Sequence, residues 1–371
     1  MNQATTVPFQ NLQKIFADHR AEFMARIEGV LDRCAFIGGD EVVAFEKSFA
    51  KWIGNEFSAS SCANGTDAIT LAAKALKLPE GSEVVIPAMT YIATASALVN
   101  AGLKLKLADV NEGTWLLDAS KIESAMTKAT KLIAPVHLYG QMAAMDDIRA
   151  VADKHHCKIL EDAAQAHGSK WKNKSVGYWG DIAAYSLYPG KNLGAFGDAG
   201  IILSQHQSLV DICRTLGNHG GRKKYEHLIV GCNSRLDNVQ AAVLNVKLKY
   251  IDAWNESRNR TAAQYRELLG GINGLQIPVA LPDAKHTYHL YVVLVEKRED
   301  FMAHLKSKGI ECGVHYPKAI HQQPAFADCD FALARFPNAE KVAKHGVSLP
   351  MCPTLNEAQV AQVGAAVRSY F

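Results

Sequence analysis

The sequence predicts an α/β protein: a mainly parallel central sheet flanked by helices, then a smaller C-terminal α+β unit. Three observations carry that expectation. Between about residues 57 and 204, short runs rich in valine, isoleucine and leucine alternate with segments of helical periodicity, the pattern of strands buried on both faces. A long helical pattern follows at 238–270. Beyond about residue 250 the strand signal weakens, dividing the chain into expected units of 1–250 and 251–371.

Taken in order, residues 8–30 place apolar side chains at helical spacing and predict one amphipathic helix. Gly38-Gly39 marks a turn, Asp40 suits an N-cap, and the helix it opens closes near Gly54. A short strand at 57–60 leads through Ser61-Cys62-Ala63-Asn64-Gly65-Thr66-Asp67-Ala68 into a helix at 69–78. Strands are expected at 82–91, 103–110, 131–140 and 158–164, separated by helices at 92–102, 120–129 and 145–156. Two more short strands, 181–187 and 199–204, flank a proline- and glycine-bearing turn. A helix at 207–217 gives way to a polar, glycine-rich, mobile connection from Asn218 to Tyr225. The C-terminal unit then reads as a strand at 286–295, helices near 301–309 and 338–346, and a last helix at 356–371.

Composition excludes several classes of function. With 371 residues and 48% hydrophobic side chains, the chain can bury a large core. Its net charge of +3 comes from 40 basic and 37 acidic residues, scattered so that the longest basic block is Arg222-Lys223-Lys224, which indicates no nucleic-acid partner. The N-terminal stretch MNQATTVPFQNLQKIF has no apolar core behind a basic start, and no apolar run approaches a membrane span. A cytoplasmic protein with no membrane partner is expected. Eight cysteines without a Cys-x-x-Cys pair read as small buried hydrophobes in a reducing compartment, and no metal site is expected.

The stretch from Lys158 to Ser204 holds the most chemistry. Glu161 and Asp162 close an apolar run, and Lys191 sits in the turn Tyr188-Pro189-Gly190-Lys191-Asn192-Leu193-Gly194. Ligands of parallel sheets collect at the carboxyl ends of the strands, where Tyr91, Asp162 and Ser186 fall. A lysine that holds pyridoxal phosphate needs a carboxylate for the ring nitrogen, a cup for the phosphate and an aromatic face. Asp162, Gly65-Thr66 with Ser186, and Tyr91 supply one candidate for each. Other readings stay open: the Gly65 turn serves equally as a plain turn capped by Thr66 or Asp67, Tyr91 as a core or rim aromatic, and Arg222-Lys223-Lys224 as a solvated loop.

The segments FIGGDEVVAFEKSFA, CANGTDAI, PAMTYIATASAL, PVHLYGQMAAMDDI, EDAAQAHG, YPGKNLGAFGDAG, NHG, GCNSRLDNVQAA and GVHYP recur in one order in a known family. Through them the chain resembles the nucleotide-sugar aminotransferases of the DegT/StrS group, which have the type I fold of pyridoxal-phosphate enzymes. In motif it is most similar to transaminases that make dTDP-3-amino-3,6-dideoxyhexoses.

The resemblance implies that Lys191 carries the cofactor, that Asp162 binds its ring nitrogen, and that Gln165 lies beside its phenolic oxygen. It places the phosphate on Ser186 and on Asn64, Gly65 and Thr66. Asn233 would reach that phosphate from the neighbouring subunit of a homodimer with shared active sites, and Arg235 would hold the donor carboxylate. His219, Tyr225, His227, His315 and Tyr316 are expected contacts of the sugar nucleotide. Glutamate would donate the amine and leave as 2-oxoglutarate, a nucleotide-linked keto sugar would receive it, and pyridoxamine 5'-phosphate would be the form in between. The expected acceptor is a dTDP-3-keto-6-deoxyhexose, with a UDP-linked 3-keto sugar or a 4-keto-6-deoxyhexose as alternatives. Relatives with histidine in place of Lys191 remove oxygen from the sugar instead, so the lysine favours transamination over a sugar dehydratase. A non-catalytic sensor is expected to lose the lysine or the acid, and both are present.

Overall fold

The computed structural model describes residues 6–371; residues 1–5, part of the stretch read above for an export signal, lie outside the described residues. Seven strands form the central sheet: β1 Ser58–Cys62, β2 Glu83–Pro87, β3 Lys104–Ala108, β4 Thr130–Ile133, β5 Lys158–Asp162, β6 Ile182–Ser186 and β7 Gly200–Ser204. Their order is β1-β7-β6-β5-β4-β2-β3, and only β7 runs antiparallel to its neighbours. Every residue of β2 and β7 is buried, which is why these strands read as continuous apolar runs instead of alternating ones.

Helices cover this sheet as the α/β pattern requires. They are α1 Leu12–Asp18, α2 Arg20–Asp32, α3 Asp40–Ile53, α4 Gly65–Ala75, α5 Ile92–Asn100, α6 Ala119–Ala125, α7 Met145–Lys154, α8 Gln207–Gly217 and α9 Asn238–Lys247. α4 packs on β6 and β7 beside α5 and α8, α3 packs on β1, and α7 on β5. The C-terminal region adds α10 Ile251–Leu269, α11 Arg298–Ser307, α12 Pro337–His345 and α13 Glu357–Arg368 around an antiparallel sheet of β8 Leu275–Gln276, β9 Tyr291–Val295 and β10 Gly346–Leu349. Strand β9 joins two cores by the two-residue period of a strand: Val292 and Leu294 pack into the main core, while Tyr291, Val293 and Val295 pack with Tyr265, Phe301 and Val363.

Register aligns the end of the sheet that carries the chemistry. Asp162 pairs with Ala184, Ser186 with Gly200, and Gly200 with Cys62. The chain therefore leaves β1, β5 and β6 along one edge, and α4 starts there.

Several expectations need correction. The helix read at 8–30 is two, broken where His19 packs its ring 4.0 Å from Tyr250, and residues 7–10 are not helical because Val7 pairs with Ile310. The helix read at 238–270 also divides, through a tight turn in which Tyr250 N donates to Lys247 O; α9 packs on α2 and α3, whereas α10 packs on α13. The strand read at 286–295 begins only at Tyr291. Asp40 is the first residue of α3 behind a Gly39 cap, and Asn64, not Thr66 or Asp67, caps α4 by accepting from Asp67 N at 2.8 Å. The connection after Asn218 folds into a small hairpin of Gly221–Lys223 and Glu226–His227. All eight cysteines are free, but Cys34 and Cys232 are exposed and only four are buried. Among the described residues no helix is long and apolar enough to cross a membrane.

One buried carboxylate locks the end of β5. Glu161 is fully buried; its Oε1 accepts from Gly177 N at 3.0 Å and Gly180 N at 2.7 Å, and its Oε2 lies 2.8 Å from His137 Nε2. Ala143 N donates to His137 Nδ1, so the imidazole proton sits on Nε2 and points at the carboxylate. Glu161→Leu leaves three donors unpaired, two of them buried, and lowers the unfolding free energy by about 3–5 kcal/mol in urea titrations. A loss below about 1 kcal/mol contradicts this role.

Candidate active site

A cleft of about 530 Å³ opens at the aligned sheet edge. It brings together Asn64, Gly65, Thr66, Tyr91, Asp162, Gln165, Ser186, Lys191, His315 and Tyr316, ten of the residues singled out from sequence. Asn233, Arg235, His219, Tyr225 and His227 do not join it. All five are exposed, and Arg235 lines a different hollow with Asp211, Arg214 and Arg222.

The start of α4 forms the floor at one end. Among the described residues, the N–H groups of Gly65 and Thr66 have no protein acceptor, and they stand at the positive end of the helix. Ser186 closes this cup: a Cβ on Gly65 would lie 2.5 Å from the Ser186 Cβ, so only glycine lets the two segments come this close.

At the other end Asp162 is buried, accepting from the Thr94 hydroxyl at 2.7 Å and from Ala164 N at 3.1 Å. Thr94 spends its proton on this bond and so accepts from Thr90, 2.8 Å away. Burial raises the Asp162 pKa above the usual carboxylate range, opposed by the bonds from Thr94 and Ala164 and by the charge of Lys191. Gln165 is held between Tyr139 N, which donates to its Oε1 at 2.6 Å, and the Tyr316 hydroxyl, 3.1 Å from its Nε2. Tyr91, at the N-cap of α5, leaves half its surface in the cleft and tilts against Tyr316 with ring centroids 5.0 Å apart.

Lys191 lies between these ends, on a turn that the rest of the fold holds in place. Its N–H donates to Tyr188 O, and the next residue, Asn192, is buried. Asn192 Nδ2 donates to Asn255 Oδ1 and Thr287 O, while its Oδ1 accepts from His289 Nδ1. The Lys191 ammonium has no ion pair among the described residues. Burial lowers its pKa to about 8, with the Asp162 charge acting the other way.

A lysine amine, a buried acid and a row of unpaired N–H groups in one cleft match what the aminotransferase resemblance implies. The model of the DegT/DnrJ/EryC1/StrS aminotransferase family matches residues 17–368. The chain belongs to this family.

A Streptomyces venezuelae dTDP-3-amino-3,4,6-trideoxy-alpha-D-glucose transaminase is 40% identical over 364 residues, covering 98% of this chain and 96% of that protein. A UDP-N-acetyl-3-dehydro-alpha-D-glucosamine 3-aminotransferase of Acidithiobacillus ferrooxidans is 38% identical over 368 residues, 99% of each chain. The crystal structure of S. venezuelae DesV superposes with a TM-score of 0.96 at 40% identity over 98% of both chains. NtdA of Bacillus subtilis, solved with bound cofactor PMP, superposes at 0.89 with 30% identity over 95% of this chain and 82% of that one.

This member of the DegT/StrS family is therefore an aminotransferase acting on nucleotide-linked keto sugars, with pyridoxal 5'-phosphate as cofactor and pyridoxamine 5'-phosphate as its alternate form. The residues present fit that cofactor: the unpaired N–H groups suit a phosphate, and a buried carboxylate whose pKa burial has raised suits a cationic ring nitrogen.

Sequence reasoning missed Thr94, His289, Phe9 and Gln10, all of which line the cleft. Thr94 had a signal, one helical turn beyond Thr90. The other three reach the site only through long-range packing.

The lowered Lys191 pKa has a kinetic consequence. If Lys191 is the amine that captures pyridoxal phosphate, its free base is the nucleophile, so capture by the cofactor-free protein accelerates through a midpoint near pH 8 and levels off about one unit above it. Stopped-flow absorbance measures this; a rate still rising to about pH 10 means the amine keeps an ordinary lysine pKa.

Proposed function

We propose that the protein transfers the amino group of glutamate to C3 of a dTDP-linked 3-keto-6-deoxyhexose, working as a cytoplasmic homodimer. The observation that carries the reading is the cleft itself, with Lys191 between Asp162 and the Gly65-Thr66 cup. C3 is supported by the two relatives above, whose names both place the amine at carbon 3. Their nucleotides differ, so a UDP-linked 3-keto sugar is the second reading.

When bound, pyridoxal phosphate supplies the electron sink and carries the amine from donor to acceptor. The chain's residues do the rest. The N–H groups of Gly65 and Thr66, with the Ser186 hydroxyl, bind the phosphate. Asp162 keeps the proton on the ring nitrogen, and Thr94 orients the carboxylate. Gln165, fixed by Tyr139 and Tyr316, orients the ring's oxygen side, and Tyr91 covers a ring face and excludes water. The freed Lys191 amine moves a proton at the substrate carbon, a task that a pKa near the working pH suits.

The homodimer is supported by a surface that a lone chain leaves bare. Phe36, Ile37, Tyr225, Leu228 and Val230 are exposed, and the bridge of Ile37 to Asp237 sets part of this apolar surface beside Asn233 and Arg235. In that arrangement Asn233 and Arg235 serve the partner's cleft, on the phosphate and the glutamate carboxylate respectively, and His219, Tyr225 and His227 meet the sugar nucleotide together with His315 and Tyr316. A guanidinium matches a carboxylate through two parallel hydrogen bonds.

A panel of keto-sugar nucleotides with glutamate, read by mass and NMR, tests the substrate. The expected product is a dTDP-3-amino-3,6-dideoxyhexose. Amination of 4-keto sugars alone would overturn the C3 assignment and leave the aminotransferase class intact.

A further inference from the structure

The cleft wall formed by the start of the chain has no role in the scheme above. Val7 pairs in parallel with Ile310, donating to Gly309 O at 2.8 Å and accepting from Glu311 N at 3.0 Å. Phe9 is held at both ends of its peptide unit: its N–H donates to Glu311 Oε2 at 2.9 Å, and its carbonyl accepts from Met351 N at 3.3 Å. Its ring lies against the His315 imidazole, with centroids 5.6 Å apart and planes within 13°. Gln10 then crosses to the lysine turn, where its Nε2 donates to Gly190 O at 3.0 Å. Phe9 and Gln10 both line the cleft.

The chemistry of the amide decides what is left over. With Nε2 turned to a carbonyl, Oε1 is the remaining acceptor, and among the described residues it meets no donor. It lies next to the lysine turn: a Cβ on Gly190 would stand 3.0 Å from this oxygen. Glutamate's only donor is the amine that it gives up in the reaction, and its carboxylates are repelled by an amide oxygen. A sugar presents hydroxyl groups, which it attracts.

We propose that Gln10 is a specificity-determining residue for the sugar, its Oε1 accepting a hydrogen bond from a ring hydroxyl while its Nε2 ties that contact to the lysine turn. The proposal rests on the nucleotide-sugar reading and adds the N-terminal strap to it. Because Val7 and Phe9 fix the strap to Ile310, Glu311, His315 and Met351, the amide has a set position before substrate arrives, and little ordering remains to be done on binding.

Calorimetry on the full-length, pyridoxamine-loaded enzyme separates the sugar from its nucleotide. The probes are dTDP and UDP alone and the corresponding 3-amino-6-deoxyhexose nucleotides. In Gln10→Ala and in Gln10→Met, which keeps the bulk of the side chain, the sugar nucleotide binds about five- to tenfold more weakly, the scale of one neutral hydrogen bond, and the bare nucleotide as in wild type. The KM for the keto sugar rises by the same factor, while bleaching of the visible absorbance by glutamate keeps its rate. Sugar binding unchanged in Gln10→Met overturns the proposal. So does an equal loss in the glutamate and sugar half-reactions, which makes Gln10 an anchor of the lysine turn only. If the wild-type enzyme itself prefers no sugar nucleotide over the bare nucleotide, the substrate reading falls and takes the proposal with it.

Discussion

Asp162 is a carboxylate removed from water at the carboxyl end of a buried strand, and the penalty of that burial organises what surrounds it. Two hydrogen bonds, from Thr94 and Ala164 N, do most to offset the penalty, and the charge of Lys191 adds a smaller share. The same dry cleft disfavours the charged form of Lys191. Burial thus moves the acid up and the amine down, bringing both toward the range where protons are exchanged near neutral pH. In the proposed reading, a cationic ring nitrogen at Asp162 would relieve the first displacement, and attachment of the cofactor at Lys191 would remove the second.

The fold earns this arrangement through strand register rather than through any single loop. Pairing of Cys62, Gly200 and Ser186 across β1, β7 and β6 brings the Asn64-Gly65 turn against the end of β6, and pairing of Asp162 with Ala184 places the acid one strand away. The lysine turn is then set by buried side chains from elsewhere, through Asn192, Asn255 and Thr287. Glu161 faces away from the cleft and fastens the loop of Gly177 and Gly180 to the same strand that ends in Asp162. One strand therefore carries a carboxylate that ties down a loop on one face and one that lines the cleft on the other, as the two-residue period dictates.

Much of this was legible in the sequence because the chemistry is written in short segments at strand ends. All seven central strands were anticipated, most as apolar runs and β1, the serine-rich Ser58–Cys62, as a short strand before the Asn64 turn, and residues 64–66, 162–165 and 186–191 each place their side chains within a few residues of a strand terminus or helix start. What was not legible depends on contacts across the chain. His19 breaks the first helix by packing on Tyr250, and α9 and α10 separate because they serve different neighbours. Phe9 and Gln10 enter the cleft through partners more than 170 residues away, a relation that periodicity cannot express. Asn233, Arg235, His219, Tyr225 and His227 stay outside the cleft of a single chain, and no local pattern says which surface a second copy would cover.

The central claim is that Lys191 holds the cofactor, and the fold offers a demanding control. Lys247 is buried, lies 4.9 Å from the centre of the Phe196 ring, and has its pKa lowered to about 8 by the same physical cause. A depressed pKa alone therefore does not single out Lys191; its place between Asp162 and the phosphate cup does. Borohydride reduction of the pyridoxal-phosphate enzyme followed by peptide mass mapping distinguishes the two. The account predicts the pyridoxyl mass on the peptide containing Lys191 and its loss in Lys191→Ala. A label on Lys247, or one that persists in Lys191→Ala, would contradict it.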